Sequence, residues 1–337
     1  MATRKPLPRA GLAALVLLVM LAVLVAIGVV VGSVSISATD LLRVFTGRAG
    51  ELPQHISTII LQIRLPRIVL AILIGMMLSS SGTVVQAVFH NPLADPYIIG
   101  ISASAVAGAV VAFLLDLPDY LYGVFAFVVS LAATFLIFRL SMSRGATRVT
   151  TLLIIGVAVS SFLGAFTSFA MYAVGEDSYR IIVWTMGYLG SASWLRVSIL
   201  IVPLVLSVTF FYVHRHELDA LMLGDEEAHA LGVNVGRLKK LLLLVAALIV
   251  SFSVAFSGLI GFVGLIVPHT MRLLIGHSNT KLLGVSTLAG GVFLLFADTL
   301  ARTLLAPVEI PIGAVTAIFG APFFIYLASR SRKAGLL

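Results

Sequence analysis

Runs of about twenty apolar residues, parted by short clusters of Gly, Pro, Asn, Asp, Arg and Lys, recur along the whole chain. Ten stand out: 12–32, 66–88, 96–115, 120–139, 150–173, 195–213, 240–257, 260–276, 282–305 and 312–329. A helix rises about 1.5 Å per residue, so twenty residues cover the roughly 30 Å of a bilayer's hydrocarbon core. No water is present there to bond a backbone N–H or C=O, and only helices and closed barrels satisfy every such group internally. Barrel strands are about ten residues long and alternate in polarity, whereas these runs are longer and continuously apolar. The pattern predicts an all-α membrane protein of about ten transmembrane helices. It forms one polytopic domain over 1–337, with both termini on the same side. Five being odd, a second copy of a five-helix unit would insert upside down, and Gly82 to Pro92 faintly echoes Gly261 to Pro268.

Composition agrees: 60% of residues are hydrophobic and 11% charged, against about 25% charged in soluble domains. The net charge of +8 does not point to nucleic acid, because the cations stand singly between apolar runs, with no basic patch interleaved with aromatics. It reads as a topology signal. Of the 22 Lys and Arg residues, fifteen fall on the side of the N-terminus, the tail and the loop 214–239, and seven on the other. The positive-inside rule places both termini and that loop in the cytoplasm. The first apolar run follows Arg4, Lys5 and Arg9, but it is too long for a signal-peptide core and no A-x-A site follows, so it is a span.

The chain has no cysteine, which excludes disulfides and thiol catalysis. It has no G-x-x-x-x-G-K-[ST] and no Gly-Lys dipeptide, so nothing cradles a nucleotide's phosphates; if ATP drives this protein, another chain binds it. H-E-x-x-H and G-x-S-x-G are absent and the seven histidines are scattered. The expectation is a protein that is not an enzyme and holds neither metal nor cofactor.

Three constellations remain. In the loop 214–239, Leu218, Leu221 and Met222 form an apolar stripe, Gly224 breaks the chain, and Ala228 and Leu231 belong to a second short helix ended by Gly232. Two amphipathic helices with a hinge suit a partner's groove; the alternative is a solvated loop. In the fifth span Gly156, Ser160, Gly164 and Ser168 recur every four residues, a face that serves either close packing within the subunit or a pore. Arg64 and Arg67 lie three apart at the expected external start of the second span. There they oppose both the positive-inside rule and the helix dipole, and so call for an acidic partner. Arg302 follows Asp298 by four residues, the spacing of an intrahelical ion pair.

These segments resemble the FecCD-type permeases of ABC importers for ferric siderophores, haem and cobalamin. The likeness runs nearly full length. It rests on Arg64-Leu-Pro-Arg67, the run from Gln86 through Asn91-Pro-Leu-Ala-Asp-Pro-Tyr to Gly100, and Gly224-Asp-Glu-Glu-Ala-His-Ala-Leu-Gly232. Further on stand Gly264-Leu-Ile-Val-Pro-His269, Ala297-Asp-Thr-Leu-Ala-Arg302, Glu309-Ile-Pro-Ile-Gly313 and Gly320-Ala-Pro-Phe-Phe324. The resemblance implies a homodimer in the bacterial inner membrane, working with two copies of an ABC ATPase subunit and a periplasmic substrate-binding protein. It implies that Leu218, Leu221, Gly224, Glu227, Ala228, Leu231 and Gly232 belong to a coupling helix pair seated in the ATPase. It implies that Arg64, Arg67 and Arg302 receive acidic residues of the binding protein. It also implies a pathway along the dimer axis past Ser160, Gly164 and Ser168, with a cytoplasmic gate near Thr150 and Thr151. Arg180, Trp184 and Tyr188 would border the external mouth. The rival is an ion-coupled secondary transporter, a class that keeps ionisable groups at the midplane. Here Asp298 is the only acid well inside a span.

Overall fold

The computed structural model describes residues 9–32, 36, 37, 39, 43, 46, 53–143, 146, 147 and 149–333. Arg4, Lys5, Arg48, Arg144 and Arg148, used above to orient the chain, lie outside the described residues. Ten helices carry the fold: α1 Arg9–Val30, α2 Gln54–Val88, α3 Ile101–Leu114, α4 Tyr120–Ser141, α5 Val149–Val174, α6 Trp194–Val213, α7 Val235–Ser257, α8 Val263–Ile275, α9 Asn279–Thr303 and α10 Ile312–Lys333. A two-residue hairpin, β1 Met142–Ser143 and β2 Ala146–Thr147, joins α4 to α5. All ten predicted spans are thus helical in their cores, and seven of the helices are long and apolar enough to cross a membrane unaided.

The differences lie at helix starts, and each has a local cause. The second span does not begin at Pro66. The helix already starts at Gln54, and the turn before the proline, Ile59–Arg64, widens to π-helical spacing. Proline has no N–H to give and its ring crowds the carbonyl four residues back, so a wider turn carries the helix through. The third span is interrupted at its start: Pro96–Ile99 form a 3-10 turn whose first free N–H, that of Tyr97, is capped by the Asp95 carboxylate at 2.7 Å. Gly100 then turns the chain at φ +84° before α3 begins. A left-handed residue at that point costs glycine little and other residues much.

The eighth span is interrupted in the same way. The backbone between α7 and α8 is irregular, with Gly258 and Phe262 both at positive φ. Hence α3 and α8, with 14 and 13 residues, are only about 20 Å long. They are the third members of the two five-helix halves, and each follows a broken segment. Irregular backbone at membrane depth is tolerated only where protein covers it, and here it is covered: Pro96 abuts Gly264, and Tyr97 Oη donates to the Ile260 carbonyl at 3.4 Å. Paired broken helices at matching places are the mark of inverted-repeat transporters.

The centre is built from backbone-close crossings. Gly75 of α2 meets Gly290 of α9, where a Cβ on either would overlap the other's carbonyl, and Ser79 Oγ donates to the Ser286 carbonyl at 2.7 Å. Gly123 of α4 meets Ala255 of α7 in the same manner, with Ser130 and Ser251 bonded at 2.9 Å. These two crossings exchange places if α2 is matched to α7 and α4 to α9, as an inverted five-plus-five repeat requires. Because lipid tails are as apolar as leucine, small residues and hydroxyls hold such helices together more than hydrophobicity does.

Candidate functional site

Three places hold the residues that the sequence singles out. At one end of the bundle, called the arginine end, Arg64 and Arg67 of α2 and Arg302 of α9 turn inwards, and each is less than a tenth exposed. Arg67 Nε donates to Asp298 Oδ1 at 2.9 Å, and Arg67 Nη1 reaches both carboxylate oxygens of Glu309, at 2.9 and 3.0 Å. Arg302 Nε lies 3.1 Å from Asp298 Oδ2, the intrahelical pair expected from the spacing. Arg302 also reaches the Gly28 carbonyl at 3.4 Å, while Arg64 Nη1 donates to the carbonyls of Val29 and Val30. Those three carbonyls belong to the last turn of α1, where a helix leaves acceptors unpaired and carries partial negative charge.

This corrects the premise drawn from the sequence. Arg64 and Arg67 do not sit at a helix N-terminus, because α2 begins ten residues before Arg64, at Gln54. Arg64, with Arg302, instead meets the C-terminus of α1, where the dipole favours a cation, and Arg67 meets the two carboxylates. The acidic partners Asp298 and Glu309 are supplied by the chain itself. A cavity of about 310 Å³ opens over them, bordered by Gly32, Ile59, Pro307 and Glu309. Glu309 is the one member of the set with a substantially exposed side chain, at 36%.

At the opposite end, the loop end, the two short helices are present as Arg215–Leu221 and Asp225–Ala230. Gly224 stands between them at φ +133°, and a Cβ there would overlap the Glu227 carboxylate; Gly232 closes the pair at φ +87°. The apolar stripe faces the other way from expectation. Leu218, Leu221 and Ala228 are fully buried in the chain's own core, against Phe211, Leu238 and Leu242. Buried there, they bolt the pair to the bundle. The surface left outward includes Leu223, Glu227, Leu231 and Gly232 beside the exposed Asp225, Glu226 and His229, with Leu223 and Leu231 about two-thirds exposed.

Two carboxylates of this loop escaped the reading of the sequence. Asp225 pairs with the buried Lys239 Nζ at 2.6 Å. Asp219 accepts from Ser278 Oγ at 3.0 Å, from Thr280 Oγ1 at 2.8 Å and from the backbone N–H groups of Asn279 and Thr280. The string Ser278-Asn279-Thr280 was legible as a helix start, but its acceptor lies some sixty residues away along the chain.

The small-residue face of α5 divides in two. Gly156 packs on the backbone of Ile98 and Ile99, and Ser160 donates to the Gly156 carbonyl at 2.7 Å while facing Gly100. Packing inside the subunit therefore accounts for that half. A Cβ added at Gly164 would meet nothing within 4 Å and Ser168 is exposed, as are Thr150, Val157, Phe162, Phe169 and Tyr172; Thr151 is half-buried. Arg180, Trp184 and Tyr188 share a separate cavity of about 420 Å³ with Asp119, Tyr122 and Arg196. Among the described residues no cluster of three His, Asp or Glu side chains is arranged to hold a metal ion.

Known proteins share this architecture. A solved chain described as a metal-chelate type ABC transporter in an inward-facing conformation superposes with a TM-score of 0.83 at 31% identity, covering 94% of this chain and 98% of that one. The cobalamin import system permease protein BtuC of Halobacterium salinarum is 44% identical over 278 residues, 82% of this chain and 74% of the relative. The hemin transport system permease protein HmuU of Yersinia pestis is 42% identical over 283 residues, 81% of this chain and 84% of the relative. The model of the FecCD transport family matches residues 18–330, and with ten helices, paired broken segments and the folded-back helix pair at the loop end, this multi-pass membrane permease belongs to that family.

Proposed function

We propose that this chain is the membrane-spanning subunit of an ATP-driven importer that moves a metal chelate, a ferric siderophore, haem or cobalamin, from periplasm to cytoplasm. It works as a homodimer in the inner membrane, with both termini and the loop end in the cytoplasm and the arginine end outside. Two copies of an ABC ATPase subunit grip the helix pair through Leu223, Glu227, Leu231 and Gly232, and a periplasmic substrate-binding protein docks over Arg64, Arg67 and Arg302. The observation that carries this reading is the helix pair itself. Leu218, Leu221 and Ala228 anchor it in the bundle, so a load applied to its outward face is passed to the core and not absorbed by a loose loop.

The unpartnered apolar faces of α5 and α10, with Phe162, Phe169, Ile318 and Ile325 exposed, suit a second copy across a central pathway past Gly164 and Ser168. Thr150 and Thr151 stand at the cytoplasmic mouth of that pathway. Ion-coupled transport is disfavoured because Asp298, the only acid well inside a span among the described residues, is held by Arg67 and Arg302 and cannot exchange a carried proton without breaking both pairs.

Co-expression with its ATPase provides the test. The purified chain alone should bind and hydrolyse no ATP, and the complex should contain two ATPase copies per two permeases and hydrolyse ATP. Substantial nucleotide binding by the isolated chain, or uptake into vesicles driven by a proton or sodium gradient without ATP, would sink the reading.

A further inference from the structure

The first turn of α9 is capped by another helix. Ser278 occupies the cap position but its side chain makes no bond to its own helix. The free N–H groups of Asn279 and Thr280 are taken instead by the Asp219 carboxylate, which also accepts from the Ser278 and Thr280 hydroxyls. Asn279, fully buried, returns a bond from Nδ2 to the Leu218 carbonyl at 3.2 Å. Five hydrogen bonds thus join the helix Arg215–Leu221 to the start of α9. A carboxylate on a helix N-terminus gains from both the unpaired donors and the dipole, so this joint is stiffer than the apolar contacts around it.

The helix so held reaches the other end of the molecule. With 25 residues, α9 is about 37 Å long. It contains no proline, and it is locked along its length to α2 by the Gly75–Gly290 crossing and the Ser79–Ser286 bond. Its last turns carry Asp298 and Arg302, and the Ala301 carbonyl accepts from the Ile310 N–H next to Glu309. A displacement of the helix pair therefore moves the group that holds Arg67.

We infer that Asp219 is the joint through which ATPase-driven motion of the helix pair enters α9, and that α9 carries it as a rod to the arginine end. The inference rests on the importer reading above. It assigns Asp219 a positioning role: it transmits motion between two partner surfaces without touching substrate or nucleotide. Linkage makes the coupling of binding free energies reciprocal, so docking of the binding protein outside biases the nucleotide-bound state of the ATPase inside through the same joint.

The experiment compares wild type, Asp219→Ala and the double variant Asp219→Ala with Ser278→Asp, each reconstituted with the ATPase in proteoliposomes. ATP hydrolysis is measured with and without added binding protein. Asp219→Ala removes the cap of α9 and four of its five hydrogen bonds to the helix pair. Ser278→Asp returns a cap from within α9 but not the tie. The expected result is that Asp219→Ala lowers the melting temperature and cuts the stimulation of hydrolysis by the binding protein by about fivefold or more. The double variant should regain the melting temperature while its stimulation stays low. Stimulation restored by Ser278→Asp would show that Asp219 merely caps a helix, and unchanged stimulation in Asp219→Ala would overturn the joint outright. If Asp219→Ala fails to assemble, Asp219→Asn is used, which still accepts from a backbone N–H but loses the charge. An intermediate loss of stimulation supports the joint and wild-type stimulation refutes it. A wild-type complex that the binding protein does not stimulate would count against the importer reading, and against the joint with it.

Discussion

Helices α5 and α9 are nearly equal in length, yet the more apolar of the two, α5, lies mostly at the surface of the bundle, and α9 is among the most buried elements. In a water-soluble protein the order would be reversed. In a bilayer the surroundings are as apolar as the interior, so a leucine gains little by moving inwards. What gives α9 its place is shape and polarity: Gly290 and Gly291 for close approach, the Ser286 carbonyl for the bond from the Ser79 hydroxyl, and Asp298 for a pair of arginines. Exposed α5 carries Val157, Phe162, Phe169 and Tyr172 outwards, a surface for lipid or for a second copy.

The sharpest way to break this comparison is to place the same side chain on both helices. Gly290→Leu drives a side chain into the Gly75 backbone, an overpacking worth more than about 3 kcal/mol where backbone cannot yield. No folded protein should be recovered in detergent, as judged by size-exclusion chromatography. Gly164→Leu, where nothing lies within 4 Å, should fold as wild type does. Equal recovery of the two variants would contradict the assignment of α9 as interior and α5 as surface.

The next largest effect concerns charge inside α9. Asp298→Ala takes the ion-pair partner of Arg302 and leaves Arg67 with Glu309 alone, both arginines being buried, and removing one partner of a buried ion pair costs about 3–5 kcal/mol. The melting temperature should fall steeply, and replacing Arg302 by Met in the same chain should recover part of the loss. No exposed residue of α5 should produce a drop of that size. Substituting Phe162 and Phe169 together by Ala should leave the melting temperature of the monomer unchanged and weaken self-association about tenfold, read by cross-linking at increasing detergent dilution. Unaltered association would show that this face meets only lipid.

The smallest effect separates the two acids at the arginine end. Glu309→Gln removes a pair whose acidic partner is one-third exposed, and after solvent screening the loss of stability should stay below about 1 kcal/mol. Docking should move the other way. With the internal carboxylate gone, Arg67 keeps Asp298 but presents Nη1 to an incoming acid, so the binding protein should associate faster, with a gain that shrinks as salt rises. Slower association with unaltered salt dependence would argue against docking on Arg67. Reversing Arg67 to Glu would be a poorer test, because it sets three carboxylates together and damages the fold before docking can be measured.

Much of this site was legible residue by residue. The intrahelical spacing from Asp298 to Arg302, the glycine break at Gly224 and the absence of a phosphate-binding loop are local facts, and local rules read them. The inward turn of Leu218 and Leu221 was not legible, since an apolar stripe looks the same whether it meets a partner's groove or the chain's own core. Nor was the bond from Arg67 to Asp298, across 231 residues, or that from Thr280 to Asp219, across 61.

By itself, then, the sequence determined that ten helices enter the membrane, because insertion is decided by the transfer of each run from water into hydrocarbon and requires no knowledge of neighbours. The breaks before α3 and α8 came only with the structure, although proline's missing donor and glycine's left-handed turn are their local causes at Pro96 and Gly100. Only the tertiary structure decided which helices are interior and which arginines already have acids, and which carboxylate caps α9. Inside a bilayer, hydrophobicity no longer separates inside from outside, and the choice falls to close packing and polar pairing between segments that lie far apart along the chain.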